Sequence, residues 1–163
     1  MTPSAIERLL TLLATNPRVV AELIAAIPPT QLKSRPKPGK WSAHEQACHL
    51  AVVHQVMADR LERMLKEDVP VFRPYLPGEQ EDDEALLKLD VETCLASYVR
   101  ERDAWVARLR QLSLSDWERR ARHPEYRDYS VYIMCRHIAM HDLLHAYRIE
   151  ENLLAPRAEP TQE

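Results

Sequence analysis

The chain has 163 residues, a length that suits one domain with its own hydrophobic core. Apolar residues make up 45% and charged residues 29%, a composition that argues against disorder. The net charge of −3, with both signs interspersed, argues against a nucleic-acid-binding surface. No run approaches the roughly 18 apolar residues of a membrane span, and no secretory signal pattern is present. We therefore expect a cytoplasmic protein that contacts no membrane.

Two stretches with helical periodicity follow one another near the N-terminus. The apolar positions are Ile6, Leu9, Leu10 and Leu13 in the first stretch, and Val20, Leu23, Ile24 and Ile27 in the second. Asn16 and Pro17 lie between them and form a cap-and-first-turn pair. The pattern leaves open whether this region is two helices or one kinked helix. Residues 28–40, with four prolines and one glycine, are predicted to be a connector.

A second long helix is predicted from Ser42 to about Glu67. Ser42 and Glu45 match the capping box, in which each side chain binds the other residue's free backbone N–H. Residues 69–84 then form the longest predicted loop, with three prolines and the acidic run EQEDDE. We expect that run to be a solvated entrance to the next helix, since acidic groups are favoured at a helix N-terminus.

The third helix is predicted from near Glu84 to Leu112, and the last from Ser130, its cap, to about Leu154. Residues 113–130 are predicted to be a connector. Four long helices in a small chain indicate an all-α fold, a four-helix bundle. We expect a single domain over residues 1–155 and a C-terminal tail over 156–163.

Three cysteines, Cys48, Cys94 and Cys135, are far apart in the sequence and form no CxxC pair. Each lies within a predicted helix, where a free cysteine usually acts as a small core residue. We favour that interpretation over a thiol nucleophile.

The last predicted helix carries three histidines at steps of four, His137, His141 and His145. On a helical wheel they lie within about 80° of one another, on an arc that also holds apolar residues. We therefore expect the whole stripe to face the interior. The three span roughly 12 Å, which is too long for all of them to bind one ion with bonds of ~2.1 Å. One adjacent pair could chelate a metal.

A third ligand would have to come from another helix, and the second helix offers His44, His49 and His54. Steps of five turn these side chains to different sides of the helix. Periodicity favours His54, near the middle of the apolar arc, over His49 at its edge. His123 lies in a connector and is expected at the surface. Spacing alone leaves a metal site and hydrogen-bonded core histidines about equally open.

The string HDLLH, residues 141–145, invites comparison with the zincin motif HExxH, in which the glutamate is the general base. The glycine-bearing downstream extension of metzincins is missing. Asp142 lies about 100° from His141 on the wheel, so we expect it in a surface charge pair. The zincin interpretation is therefore disfavoured.

Two segments taken together resemble the DinB/YfiT-like superfamily of metal-binding four-helix proteins. They are PGKWSAHEQACHL, residues 38–50, and HIAMHDLLHAYRIE, residues 137–150. The family pattern is a Trp-Ser helix start, a His-Leu pair about a turn and a half later, and a C-terminal His-x-x-x-His. The likeness extends from the first helix to about Leu154. It implies an up-down-down-up bundle, commonly a homodimer.

The resemblance implies three metal ligands, His49, His141 and His145, and it replaces His54 as the third ligand. The cofactor it implies is one divalent ion, with zinc or nickel favoured. His54 and His137 become candidates for catalytic or supporting roles beside the ion. Arg148 stands where relatives often carry glutamine; it could bind an anionic substrate or serve as a surface or dimer-interface charge.

The activity implied by the resemblance is that of a metal-dependent hydrolase acting on a small molecule. Two alternatives stay open: a thiol-dependent S-transferase of the same superfamily, and a non-catalytic, stress-related binding protein. Hydrolase and transferase would use the same three ligands, so the sequence does not separate them.

Overall fold

The computed structural model describes residues 2–74 and 84–154 and confirms the all-α four-helix bundle. Four long helices build it: α1 (Pro3–Ala26), α2 (Ala43–Lys66), α3 (Val91–Leu109) and α5 (Val131–Leu154). The short helix α4 (Leu114–Glu118) and an antiparallel hairpin of β1 (Arg120–His123) and β2 (Tyr126–Ser130) connect α3 to α5. Most of the acidic run and the tail at 156–163 lie outside the described residues.

The two halves of the core establish the direction of each helix. One core cluster joins the C-terminal ends of α1 and α5 to the N-terminal ends of α2 and α3, with Ile24, Ile149, Ala47 and Tyr98 among its members. The other cluster joins the opposite ends of the same helices. α1 and α5 therefore run one way and α2 and α3 the other, which is the up-down-down-up order. α1 and α2 are diagonal to each other, and both pack against α3 and α5.

The N-terminal region is one continuous helix, with Pro17 inside it. Asn16 does not cap a second helix; its side-chain amide is buried and donates to the Ala139 carbonyl oxygen of α5 at 2.9 Å. The sequence analysis expected no stretch apolar enough to span a membrane, but by length and composition alone α1 is such a helix. In the bundle its apolar side packs into the core, as the apolar side of an amphipathic core helix does.

The predicted caps of α2 and α5 are confirmed. Ser42 and Glu45 form the capping box, and Arg35 of the preceding connector pairs with the buried Glu45 carboxylate at 2.6 Å. At the start of α5, the Ser130 hydroxyl accepts from the Ile133 N–H at 3.3 Å. These caps satisfy backbone N–H groups that have no partner within the helix. They also fix where the histidine-bearing stretches of α2 and α5 begin.

Two boundaries differ from the prediction. α3 begins at Val91 rather than near Glu84, because the Asp90 side chain caps it by accepting from the Thr93 N–H at 2.8 Å. The stretch 113–130 is not a bare connector, since it holds α4 and the hairpin. The hairpin buries His123, which was expected at the surface, with its ring 5.0 Å from that of Tyr129.

Candidate metal centre

Three imidazoles from two helices converge between α2 and α5. The Nε2 atom of His141 lies 3.3 Å from Nε2 of His49 and 3.1 Å from Nε2 of His145. One ring nitrogen from each residue lies within 4.8 Å of the others. His49 lies on α2, whereas the other two are one turn apart on α5, the neighbouring antiparallel helix.

The spacing of these nitrogens fits one shared ion. Nitrogens bound at ~2.0–2.1 Å to a tetrahedral ion lie roughly 3.3 Å apart, close to both measured Nε2 separations. His137 is one turn too early on α5 to join them, as the length of the stripe predicts. The pair from α5 and the single residue from α2 are the set that the family resemblance implied.

Gln46 fixes the proton of His145. The side-chain oxygen of Gln46, on α2, lies 2.5 Å from Nδ1 of His145, and both residues are buried. An amide oxygen only accepts, so Nδ1 of His145 carries the proton and Nε2 presents a lone pair to the cluster. This is the supporting bond that metal-ligating histidines usually make through their second nitrogen.

With all three rings neutral, His141 cannot form hydrogen bonds to both His49 and His145. Its Nε2 has one neighbouring Nε2 on each side and holds either one proton or one lone pair. Because Nε2 of His145 is already a lone pair, at least one of the two contacts would lack a hydrogen bond. A cation among the three nitrogens removes this conflict, so the donor set fits a divalent metal.

Burial keeps the three rings neutral. It lowers the pKa of His49 to about 3, that of His141 to about 4 and that of His145 to about 2. The positive charge of Arg148 also lowers the pKa of all three histidines. Near neutral pH each imidazole therefore carries a lone pair, as a metal ligand must.

Trp41 covers one side of the cluster. Its ring centroid lies 4.9 Å from that of His49 and 6.2 Å from that of His145. On the other side, His49 and His141 line a cavity of about 130 Å³. Sequence reasoning missed both Gln46 and Trp41 as parts of the site. The available signal for Gln46 was its position three residues before His49, on nearly the same face of α2.

His54 lies elsewhere, which corrects the preference that periodicity gave it. Its Nδ1 accepts from Nε of Arg102 on α3 at 3.2 Å, so the ring faces α3 rather than the cluster. Asp142, expected at the surface, is fully buried and pairs with Arg102 at 2.6 Å. The Tyr98 hydroxyl donates to the same carboxylate at 2.7 Å. These groups form a separate polar network among the helices.

The two other candidates lie at the edges of the site. His137 is exposed, contrary to the expectation that the whole histidine stripe faces inward. It lines the cavity, and its Nδ1 lies 3.1 Å from the Tyr126 hydroxyl. Arg148 is also exposed and lies on the Trp41 side, in a groove with Lys37 and Lys40 rather than in the cavity.

Fold and site together define a helical bundle with a three-histidine centre, buried at His49 and His145 and half-buried at His141, of the kind that can hold a divalent metal. A family model described as the DinB superfamily matches residues 12–149, and the chain belongs to this family. The model spans all three converging histidines.

Two similar proteins have names that refer to a metal-dependent hydrolase. One, from Oceanobacillus iheyensis, is named "Putative metal-dependent hydrolase OB0782" and is 31% identical over 110 residues, which is 67% of this chain and 63% of that protein. The chain thus spans less than two thirds of that relative. The other is a solved structure, YfiT from Bacillus subtilis, described as "a probable metal-dependent hydrolase with an unusual four-helix bundle topology". At 21% identity its TM-score is 0.84, over 93% of this chain and 87% of YfiT, a likeness of fold.

Proposed function

We propose that this protein is a metal-dependent hydrolase that holds one divalent ion, zinc or nickel, through His49, His141 and His145. The observation that carries the proposal is the convergence of three neutral imidazoles, with the proton of one fixed by Gln46. Three protein ligands leave a coordination position open, as catalytic sites do, whereas structural zinc sites have four. The names of the two similar proteins support the same activity.

The chain's own residues supply binding, orientation and proton transfer around that ion. A divalent ion held by these residues would supply Lewis-acid chemistry and would make a water molecule at the open position more acidic. Trp41 shields the cluster on one side, so a substrate reaches it through the cavity that His49 and His141 line. His137 lines the same cavity with its ring against the Tyr126 hydroxyl, where it is placed to accept a proton.

The test is turnover by protein purified without a histidine tag, stripped by a chelator and reloaded with zinc or nickel. We expect hydrolysis of members of an ester and amide panel by the loaded protein and none by the stripped protein. H141A should lose both bound metal and turnover, because two imidazoles hold the ion more weakly than three. H44Q is the matched control, since His44 is a buried histidine of α2 bonded to the Leu86 carbonyl oxygen, away from the cluster.

Two outcomes would contradict the proposal. Turnover that requires an added low-molecular-weight thiol would assign the site to the S-transferase alternative. Stoichiometric metal without turnover on either panel would assign it to a binding protein. The homodimer and the cytoplasmic location implied earlier stay predictions.

A further inference from the structure

The cavity beside the three histidines contains a buried cation. Arg60 of α2 is 7% exposed and lines the cavity together with His49 and His141. Eleven residues separate Arg60 from His49, which places the two on the same side of α2, about 20° apart and about 16 Å along its axis. The Cα–Cβ bonds of a helix tilt toward its N-terminus, so the Arg60 side chain starts out toward the end of α2 that carries His49, along the cavity that both residues line.

The positive charge of Arg60 has no anionic partner among residues 2–74 and 84–154. Its Nη2 donates to the Arg73 carbonyl oxygen at 2.5 Å, and its Nη1 donates to the Tyr129 hydroxyl at 3.4 Å. The Phe72 ring lies 5.2 Å from its central carbon, a contact that favours a cation without neutralising it. A guanidinium has five N–H donors, so more than these two bonds are available. A buried charge without a counter-charge is costly, and such a site favours an anion.

The other residues that line the cavity indicate which chemical group could carry that anion. Val53, Met57 and Ile138 are apolar, while Tyr126 and Tyr129 add aromatic surface. Glu125 contributes to the rim but forms no ion pair with Arg60 among the described contacts, and its side chain is about half exposed. The cavity of about 130 Å³ therefore suits a short apolar group that ends in a carboxylate.

We propose that Arg60 binds a carboxylate of the substrate, so that the hydrolase acts on small carboxylate-bearing molecules whose reacting bond lies at the His49 and His141 end. This inference rests on the proposed function for the reaction, but anion binding at Arg60 is measurable without turnover. Arg60 replaces Arg148 as the cation that faces the substrate. A planar guanidinium binds a carboxylate through two parallel hydrogen bonds, a geometry that lysine does not reproduce.

Butanoate is the probe, with butanamide as its uncharged control, and binding is measured by NMR titration of metal-loaded and stripped protein. On the wild-type protein we expect butanoate to bind about tenfold or more tightly than butanamide, because charge-assisted hydrogen bonds are lost with the charge. R60M should weaken butanoate binding by a similar factor, and R60K should weaken it less. R127M removes a charge from the exposed Arg127 of the hairpin and should leave binding within twofold.

The result separates this inference from the proposed function. Equal binding of butanoate and butanamide to the wild-type protein would overturn the carboxylate site even if R60M fails to fold. Equal binding by R60M and wild type would overturn it too, while metal-dependent hydrolysis would still stand. Butanoate binding that depends on Arg60, in a protein that takes up no metal, would support the anion site and reject the hydrolase.

Discussion

Gln46 shows how a single neutral side chain prepares a metal ligand. Its oxygen holds the Nδ1 proton of His145 and leaves Nε2 free to bind an ion. Both residues are buried, so no bulk water replaces the amide if it is removed. His141 has no such support, because its Nδ1 is buried without a hydrogen-bond partner among the described residues. The strength of the site should therefore depend strongly on Gln46.

Replacing Gln46 with leucine should weaken metal binding by about tenfold to a hundredfold, because His145 would lose the bond that orients it. Q46E is the matched control, since a carboxylate keeps an accepting oxygen at nearly the same place, and it should bind metal at least as well as wild type. Competition with a chromophoric chelator measures both affinities. Wild-type affinity in Q46L would show that the bond does not prepare the site.

At the scale of helices, the network around Asp142 ties the bundle together behind the metal centre. Asp142 of α5 accepts from Arg102 and Tyr98 of α3, and from Asn16 of α1 at 3.4 Å. Arg102 also donates to His54 of α2. All four long helices thus meet in one buried set of hydrogen bonds. Because Asp142 directly follows His141, this network also restrains the stretch of α5 that carries the ligands.

Breaking the buried pair should be costly. R102M leaves the Asp142 carboxylate buried without its cation, and we expect a loss of about 3–5 kcal/mol in the free energy of unfolding. The matched control is R18M, which breaks the Arg18–Asp103 pair, whose side chains are 49% and 46% exposed. That change should cost about 1 kcal/mol or less. Urea unfolding measures both losses, and equal values would mean that the buried pair has no special part in holding the helices.

At the scale of the whole molecule, the sequence predicted the bundle because helical periodicity, caps and prolines mark each long helix locally. The sequence did not predict which face of α2 packs against α5. Residues 42–51 are buried on every side, so a helical wheel has no exposed face there to give the direction. The family resemblance supplied His49 as the candidate ligand where periodicity had favoured His54. The partner of His54 is Arg102 of α3. A helical wheel of α2 contains no information about side chains on α3, so it could not predict this contact.

The hairpin and the buried Arg60 show the other limit of prediction from sequence. β1 and β2 have four and five residues in a stretch rich in arginine, too short and too polar for an alternating pattern to stand out. In the sequence, Arg60 has no feature that distinguishes it from an exposed charged residue near the end of a helix. In the structure it is buried and contacts Tyr129 of the hairpin. The burial of Arg60 depends on a distant segment of the chain, because Tyr129 of the hairpin lies 69 residues further along the sequence.

Anomalous scattering shows whether two distant helices bring three imidazoles to one ion. A crystal of tag-free protein loaded with zinc, measured at the zinc absorption edge, should show one strong peak about 2.1 Å from Nε2 of each of His49, His141 and His145. A peak bound by only two of these residues, a peak at other side chains, or no peak in protein saturated with zinc would contradict the account.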